Sequence, residues 1–585
     1  MLKLFRYFKK KDVGLVLISI CFTALCVYAD LTIPDYMSDI TRLIETSGTE
    51  MSDILSIGGK MLAYALLSMA SSIVVCICAS TLSSDFSARL RDMLFKKVQS
   101  FSMNEIGHFS TSSLITRSTN DVTQIQMFIV LGLQMLIRAP IMAVWAVFKI
   151  VGQAWQWTLA TGITIVLVLA AVIIILQFAV PKFKIMQKLT DRLNTVTREN
   201  LTGLRVVRAY NAEGYQENKF EKANADLTDA NLYAQHAMAF LMPSIMSSIN
   251  GLMLVIYWIG ASVIGSAALG SKISLFSDMV VFSQYAIQAI MSFLMLVMIF
   301  MILPRASVAA QRINEVLDTP LTIQNGTEKD GMADKEGEIV FDHVSFRYPG
   351  GQDDVLHDIS FTAKKGTTTA IIGATGAGKS TLINLIPRFY DTSEGTVTVD
   401  GRNVRDYDEC ALRNRIGYIS QSAILFTGTV SSNVGFGDNG REPASEEEIK
   451  DAVETAQASE FVEKMDGTYD AYIAQLGGNL SGGQKQRLSI ARAIARKPEI
   501  LIFDDSFSAL DYKTDSILRK ELDEKCSDTT RIIVAQRIGT IRNADQILVL
   551  EDGKLAGMGT HEELMSSCSV YQQIALSQLS KEELA

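Results

Sequence analysis

The residues best suited to chemistry lie in three short motifs in the C-terminal half of this 585-residue chain. The first, Gly373-Ala-Thr-Gly-Ala-Gly-Lys379-Ser380, is a glycine-rich loop whose backbone N–H groups can converge on phosphate oxygens. The second, Ile500-Leu-Ile-Phe-Asp504-Asp505, is an apolar run that ends in carboxylates, and the third, Leu480-Ser-Gly-Gly-Gln484, opens a helix. Together they predict a site for a nucleotide with Mg²⁺.

The sequence around the glycine-rich loop predicts the elements that would position it. A β-branched run, Thr368-Thr-Ala-Ile-Ile372, precedes the loop, and a helix is expected to begin near Lys379. In this setting Lys379 would reach the terminal phosphates, and the Ser380 hydroxyl would ligate Mg²⁺. Asp504 could instead cap the next helix, but the four apolar residues before it favour a buried strand that aims its carboxylate at the metal.

The N-terminal half has the composition of a membrane protein. Hydrophobic residues make up 48% of the chain, and the mean hydropathy is +0.21. The excess lies in residues 1–305, where six apolar runs are longer than the roughly 20 residues that a membrane-spanning helix needs. The runs are Val13–Met37, Ile57–Leu82, Met127–Ile150, Trp157–Val180, Phe240–Ile264 and Leu275–Leu303.

The charges between these runs predict an orientation. Lys and Arg cluster at the N-terminus and in the two long connections, whereas the first short loop carries one cation, Arg42, among acidic residues, and residues 152–156 carry no charge. By the positive-inside rule, the N-terminus, the long connections and the C-terminal domain lie in the cytoplasm of a multi-pass cytoplasmic-membrane protein. The net charge is −9 and no basic stretch with interleaved aromatic residues stands out, so we expect no nucleic-acid partner.

These patterns divide the chain into a transmembrane domain at 1–318, a polar linker at 319–337 and a nucleotide-binding domain at 338–585. The linker is charged and contains glycine, and the alternating pattern Glu338–Tyr348 predicts the first strand of the last domain.

The motifs together resemble those of ATP-binding cassette (ABC) exporters. Leu480–Gln484 is similar to the family signature, and Phe101–Phe109 and Glu199–Tyr210 are similar to segments that dock on its nucleotide-binding domains. The resemblance implies a membrane α-helical domain, with six spans and long cytoplasmic extensions, fused to an α/β P-loop nucleotide-binding domain. It also implies roles in binding ATP for Tyr348, Gly373, Thr375, Gly376, Gly378, Lys379, Ser380 and Thr381, with Ser481, Gly482, Gly483 and Gln484 facing a partner's nucleotide. Mg²⁺ ligands would be Ser380, Gln421 and Asp504.

Two positions depart from the family pattern. Asp505 stands where the family usually has Glu, and Gln536, in Ala535-Gln536-Arg537, stands where it usually has His. Asp505 is one methylene shorter, and a displacement of roughly 1 Å can cost on the order of 100-fold in rate. Gln536 can donate a hydrogen bond to the γ-phosphate but cannot carry the charge of an imidazolium. Asp505 and Gln536 therefore predict a degenerate site, which retains ATP but hydrolyses it poorly, while the third catalytic position, Gln421, matches the family.

The resemblance leads to an expected function with alternatives. One membrane half and one nucleotide domain imply a second half-transporter, and the departures favour a heterodimer, like the bacterial multidrug exporters, in which hydrolysis occurs mainly at the partner's site. The alternatives are a homodimer with slow ATPase activity, an ATP-gated channel-type subunit, and a membrane-tethered ATPase of a soluble type, against which the six spans argue.

Polar residues within the predicted spans suggest where a substrate would pass. Arg138, Gln284, Gln288 and Met295 are candidate lining residues for hydrophobic or amphipathic drugs or lipids, with helix packing as the competing explanation. Asp30 and Asp35 are either surface charges or a site that attracts cations.

Overall fold

The computed structural model describes residues 2–45, 50–151, 155–267 and 271–578, and its residue contacts separate two units. The first unit comprises Met1–Gln99 and Thr111–Thr319, and the second comprises Ser100–Ser110 and Pro320–Ala585. Residues 152–154 of the predicted uncharged turn, and the end of the predicted nucleotide domain from residue 579, lie outside the described ranges.

Long helices form the first unit. A 3₁₀ helix at Leu2–Tyr7 precedes them, and a π-helical turn at Gly132–Leu136 lies between the fifth and sixth. The N-terminal helices in chain order, of which α3 belongs to the second unit, are α1 (Lys10–Glu45), α2 (Met51–Gln99), α3 (Met103–His108), α4 (Thr111–Ser118), α5 (Asn120–Leu131), α6 (Arg138–Val151), α7 (Trp155–Thr202), α8 (Leu204–Ala209), α9 (Glu213–Ala239), α10 (Leu241–Ser266) and α11 (Lys272–Asp318).

Six helical segments in the described residues are long and apolar enough to cross a membrane, which confirms the six predicted spans. They are Lys10–Ile44, Met51–Gln99, Thr111–Val151, Trp155–Ala179, Glu213–Ser266 and Lys272–Asp318. With 49 residues, α2 is about 74 Å long at 1.5 Å per residue, more than twice the hydrocarbon thickness of a bilayer. This helix therefore continues well beyond the membrane.

The core of the first unit shows why a glycine stands in α10. Trp157 packs against Phe282 with ring centres 5.4 Å apart, and both side chains are buried. A Cβ atom at Gly260 would lie 2.2 Å from the Met279 sulfur and 3.5 Å from the Trp157 ring. A side chain at residue 260 would therefore require the Met279 side chain to move.

The second unit contains two main β-sheets. The smaller has strand order β2-β1-β4-β5, the larger has order β12-β11-β3-β10-β9-β6, and β7 pairs with β8. The strands are β1 (Ile339–Phe346), β2 (Leu356–Ala363), β3 (Thr368–Gly373), β4 (Glu394–Val399), β5 (Arg402–Asn403), β6 (Ile416–Ile419), β7 (Gly428–Thr429), β8 (Tyr472–Ile473), β9 (Ile500–Asp504), β10 (Thr530–Val534), β11 (Gln546–Glu551) and β12 (Lys554–Gly559).

Helices connect and cover these strands, together with 3₁₀ turns at Ala333–Lys335, Thr468–Asp470 and Gln475–Gly477. They are α12 (Lys379–Asn384), α13 (Glu409–Asn414), α14 (Val430–Val434), α15 (Glu446–Thr455), α16 (Ser459–Val462), α17 (Gly482–Ala495), α18 (Tyr512–Lys525), α19 (Ile538–Ile541), α20 (His561–Ser567) and α21 (Ser569–Gln578).

The larger sheet brings the nucleotide motifs to one edge. Strands β6, β9, β10, β3 and β11 are parallel, and every residue of β9 and β10 is buried. In this register Asp504 is opposite Val534, which is opposite Ile371. Because the carboxyl ends of parallel strands meet at the same edge, the glycine-rich loop after β3 and the carboxylates at the end of β9 face one crevice.

The segment predicted as a linker packs on the second unit from Pro320 onward. Gly326 N–H donates to the Tyr407 carbonyl at 3.0 Å, and Met332 N–H donates to the Asp400 carbonyl at 2.8 Å. Its start also binds one of the two segments that resemble docking tips, because the buried Glu105 carboxylate accepts from Thr322 N–H at 2.9 Å. Burial opposes ionisation of Glu105, but hydrogen bonds from Ser102 and Thr322 outweigh it and hold the pKa below its usual value.

Candidate nucleotide-binding site

The glycine-rich loop joins β3 to α12 in a conformation that needs its glycines. Gly376 and Gly378 have φ angles of +88° and +94°, in the left-handed region that favours glycine. A Cβ atom at Gly373 would lie 2.2 Å from the Leu550 carbonyl oxygen, so this position also excludes a side chain. Because these positions carry no side chain, a phosphate can approach the backbone N–H groups of the loop closely.

Lys379 lies across the loop. Its Nζ donates to the carbonyl oxygens of Gly373 and Ala374, each at 2.8 Å. Burial lowers the pKa of Lys379, while the charges of Asp505 and Asp504 act in the opposite direction. The ammonium is thus held beside the cleft, within reach of an incoming phosphate.

A hydroxyl and a carboxylate converge where the sequence predicts Mg²⁺. Ser380 Oγ donates to Asp504 Oδ1 at 2.8 Å, and the Tyr418 hydroxyl lies 3.5 Å from Asp504 Oδ2. Burial raises the pKa of Asp504, and the hydrogen bonds from Ser380 and Tyr418 oppose that rise. Mg²⁺ prefers few carboxylates together with phosphate oxygens and water, so this oxygen set fits the ion. When bound, the ion would neutralise charge on the phosphate oxygens.

The two residues that depart from the family pattern contact each other. Gln536 Nε2 donates to Asp505 Oδ2 at 2.8 Å, so its amide donor is directed at a carboxylate. Burial and the neighbouring charge of Asp504 raise the pKa of Asp505, and Lys379 lowers it. Asp505 also has a φ of +48°, an uncommon conformation for a residue other than glycine. The position that would orient water is thus held by a short carboxylate tied to an amide.

A cleft of about 230 Å³ gathers most of the predicted site. It is lined by Val355, Thr375, Gly376, Gly378, Lys379, Ser380, Thr381, Gln421, Asp504, Asp505, Val534 and Gln536. Val355 and Val534 escaped sequence reasoning because an isolated valine carries no chemical signal. Tyr418, which also donates to Asn384 Oδ1 at 3.0 Å, escaped it too, although its position three residues before Gln421 could have drawn attention.

Tyr348 lies next to the loop helix but does not line this cleft. Its hydroxyl is 2.9 Å from Thr381 Oγ1, and its ring meets Tyr390 edge to face with centres 5.3 Å apart. The role in stacking on adenine thus remains an expectation from the resemblance.

The signature residues form a helix start of their own. Ser481 caps α17, because its Oγ accepts from Gln484 N–H at 3.3 Å while Gln484 Oε1 accepts from Ser481 N–H at 2.8 Å. At Gly483 a Cβ atom would lie 3.2 Å from the Ala509 carbonyl oxygen. None of Ser481, Gly482, Gly483 and Gln484 lines the cleft of this chain.

The candidate substrate residues lie on two membrane helices. Arg138, in α6, donates to Asp30 Oδ2 at 2.7 Å, and Gln284, Gln288 and Met295 lie along α11. A cavity of about 600 Å³ between α7 and α10 includes none of the four. Asp30 and Asp35 are both paired, since Lys149 Nζ lies 2.7 Å from Asp35 Oδ2.

The described residues combine six membrane-spanning helical segments with an α/β unit. That unit carries the glycine-rich loop, the Asp504 carboxylate and the signature, and this combination defines an ATP-binding membrane transporter. The ABC transporter profile matches residues 356–508, and the ABC transporter transmembrane region profile matches residues 16–293. An ABC transporter ATP-binding protein of Mycobacterium tuberculosis is 39% identical over 554 residues, which cover 93% of each chain. The chain therefore belongs to the ABC transporter family, as an exporter with an ATPase-coupled domain.

Other comparisons agree with this assignment. YfiB of Bacillus subtilis, an ABC transporter ATP-binding protein, is 39% identical over 528 residues, or 90% of each chain. A Staphylococcus aureus protein named for multidrug export is 43% identical over 260 residues, or 44% of each chain. The solved structure of a bacterial Atm1-family ABC exporter with ATP bound matches with a TM-score of 0.78 at 22% identity, covering 97% of this chain and 98% of that one. At this identity the likeness shows the fold.

Proposed function

We propose that this chain is one half of a heterodimeric exporter that moves hydrophobic or amphipathic drugs or lipids out across the cytoplasmic membrane. In this proposal the N-terminus and the nucleotide-binding unit are cytoplasmic. The chain contributes the ATP site that turns over slowly, and its signature completes the hydrolysing site of a different partner. Arg138, Gln284, Gln288 and Met295 belong to the proposed substrate path.

The observation that carries the proposal is the pair Asp505 and Gln536. Both γ-phosphate positions depart from the family pattern, and the two side chains bind each other at 2.8 Å. Hydrolysis needs a carboxylate placed against water and a donor placed against the phosphate, and here one N–H of the Gln536 amide is directed at the carboxylate instead.

The intact signature supports the assignment of hydrolysis to the partner's site. Ser481 and Gln484 keep a complete capping box, so the N-terminus of α17 retains oriented N–H groups suited to a phosphate. This geometry is the one that a signature needs if it is to contact the nucleotide of a partner's site. ATP binding at both sites would close the two nucleotide units and switch the spans, and hydrolysis at the partner's site would reset them.

The chain's own residues have separate tasks in this cycle. Lys379 and the loop N–H groups hold the phosphates, Ser380 and Asp504 supply oxygens for Mg²⁺, and the pairing of Gln536 with Asp505 slows attack by water. Retained ATP would then keep one interface closed while the partner's site turns over.

The experiment that tests the proposal compares Asp505→Asn with Ser481→Ala in the full chain, alone and co-assembled with a second half-transporter in nanodiscs. The wild-type chain alone should show little ATPase activity, and the assembly should be active. In the assembly D505N should change the rate less than about two-fold, whereas S481A should lower it at least about ten-fold.

A matched control separates function from helix stability. Ser445 caps α15 in the same way, with Glu448 as its partner, so Ser445→Ala removes an equivalent cap away from the signature. S481A and S445A should each lower the free energy of unfolding by about 1 kcal/mol, but only S481A should lower ATPase activity. A wild-type chain that hydrolyses ATP quickly by itself and loses that activity in D505N would establish the homodimer instead.

A further inference from the structure

Two ion pairs join membrane helices α1 and α6 in the first unit. Asp30 Oδ2 lies 2.7 Å from an Arg138 guanidinium nitrogen, and Asp35 Oδ2 lies 2.7 Å from Lys149 Nζ. Charged side chains in membrane-spanning segments are costly, and they commonly mark a path for a substrate or an ion. The nucleotide site makes no use of either pair.

The two pairs differ in how open they are. Asp30 is held by a second donor, Ser68 Oγ at 2.5 Å, and the Asp30 and Arg138 side chains are 21% and 31% exposed. The Asp35 and Lys149 side chains are 42% and 38% exposed. The second pair is therefore the one that an entering group can reach.

The ammonium of Lys149 already sits in a cation-binding arrangement. It contacts Asp35 and lies 5.8 Å from the ring centre of Tyr285, whose hydroxyl donates to Asp35 Oδ1 at 2.5 Å. A carboxylate combined with aromatic rings is the arrangement that recognises ammonium groups in general.

More aromatic rings lie between helices α1, α2 and α6. Tyr28 meets Tyr64 at 6.2 Å and Trp145 at 5.9 Å between ring centres, and Tyr36 meets Tyr64 at 5.4 Å. Trp145 precedes Lys149 by one helical turn on α6, whereas Tyr28 precedes Asp35 by two turns, or about 10 Å along α1. Tyr28 and Trp145 are 42% and 39% exposed, which leaves ring surface available to a ligand.

The positions of the two charges decide which sign of ligand can enter. Lys149 is two residues before Val151, the last residue of α6, so its long side chain can move its charge toward the helix end. Asp35 is short and lies ten residues before Glu45, the end of α1. A cation that displaces Lys149 leaves Asp35 with a cationic partner, whereas an anion that captured Lys149 would leave Asp35 with the Tyr285 hydroxyl but no compensating positive charge.

We propose that Asp35, with the ring of Tyr285 beside it, binds the cationic group of an amphipathic substrate, and that Lys149 fills this position until the substrate displaces it. The proposal rests on the proposed export function, because it names the substrate class of that exporter. The apolar part of the substrate would lie against the membrane helices.

The test measures binding to the full chain in nanodiscs without ATP. Three fluorescent probes share one dansyl-labelled alkyl chain and end in trimethylammonium, hydroxyl or sulfonate. The trimethylammonium probe should bind more tightly than the other two. Asp35→Asn should weaken its binding about ten-fold, and Lys149→Met should strengthen it about three-fold or more, with the other two probes unchanged. Asp278→Asn is the control, because it breaks the ion pair with Arg42 between α1 and α11.

Tighter binding of the trimethylammonium probe to Lys149→Met is the decisive result. If the ion pair only held α1 and α6 together, removing Lys149 would weaken probe binding. Equal affinity for the three probes, or a loss of binding in Lys149→Met, would overturn the site. Because binding needs neither a partner nor hydrolysis, tight cation binding without ATP-driven transport would support this site while refuting the export function.

Discussion

Restoring the family's residues at positions 505 and 536 should convert the site that we propose to be slow into a hydrolysing one. Asp505 Oδ2 lies 2.8 Å from Gln536 Nε2, so a glutamate at 505, about 1.5 Å longer, cannot extend along the same direction unless Gln536 moves. The Asp505→Glu change alone should therefore raise the rate less than the pair Asp505→Glu with Gln536→His. A displacement of a catalytic group by about 1 Å can change the rate on the order of 100-fold, so the double variant should hydrolyse ATP roughly 10- to 100-fold faster than the wild type.

The assay is single-turnover hydrolysis of radiolabelled ATP by the full chain, alone and in an assembly whose other site has been disabled. Asp466→Glu makes the same chemical change on the exposed surface and should leave the rate unchanged. The two substitutions should be coupled, with the double variant exceeding the product of the single effects. A double variant no faster than the wild type would show that the contact between Asp505 and Gln536 does not limit this site.

Two further predictions concern the nucleotide unit. Gly378→Ala should weaken binding of a fluorescent ATP analogue at least about ten-fold and lower the thermal unfolding temperature, because residue 378 has a φ of +94° and the new Cβ would lie 2.8 Å from Leu356 Cδ2. Gly539→Ala, which meets nothing within 4 Å, should do neither. Burial, with the neighbouring charge of Asp400, raises the pKa of Glu499 from 4.5 to about 7, so the folded chain holds a proton that the unfolded chain releases. The free energy of unfolding should therefore fall as the pH rises from about 4.5 to about 7. In thermal unfolding scans Glu499→Gln should lose this dependence on pH, whereas the exposed control Glu524→Gln should keep it. The same dependence in the wild type and both variants would contradict the raised pKa of Glu499.

The six spans and the nucleotide loop were predictable because each depends on residues close together in the sequence. A run of about 20 apolar residues specifies a membrane-spanning helix wherever it packs. Likewise Gly376, Gly378, Lys379 and Ser380 belong to one turn between a strand and a helix, so their order in the chain is also their order around the site.

Contacts between distant residues were not predictable in the same way. Gln536 binds Asp505, 31 positions away, because parallel strands β9 and β10 end side by side. Tyr418 joins the Asp504 carboxylate because β6 pairs with β9, a register that no local pattern specifies.

The sequence by itself determined the family, the two kinds of domain and the residues suited to phosphate and Mg²⁺, since these follow from composition and local motifs. Only the tertiary structure decided how charged and polar side chains are paired. Asp35 meets Lys149 across 114 positions, and Glu105 meets Thr322 across 217. Such partners are chosen by how helices and strands pack, and packing depends on all their contacts at once rather than on the spacing of any one motif.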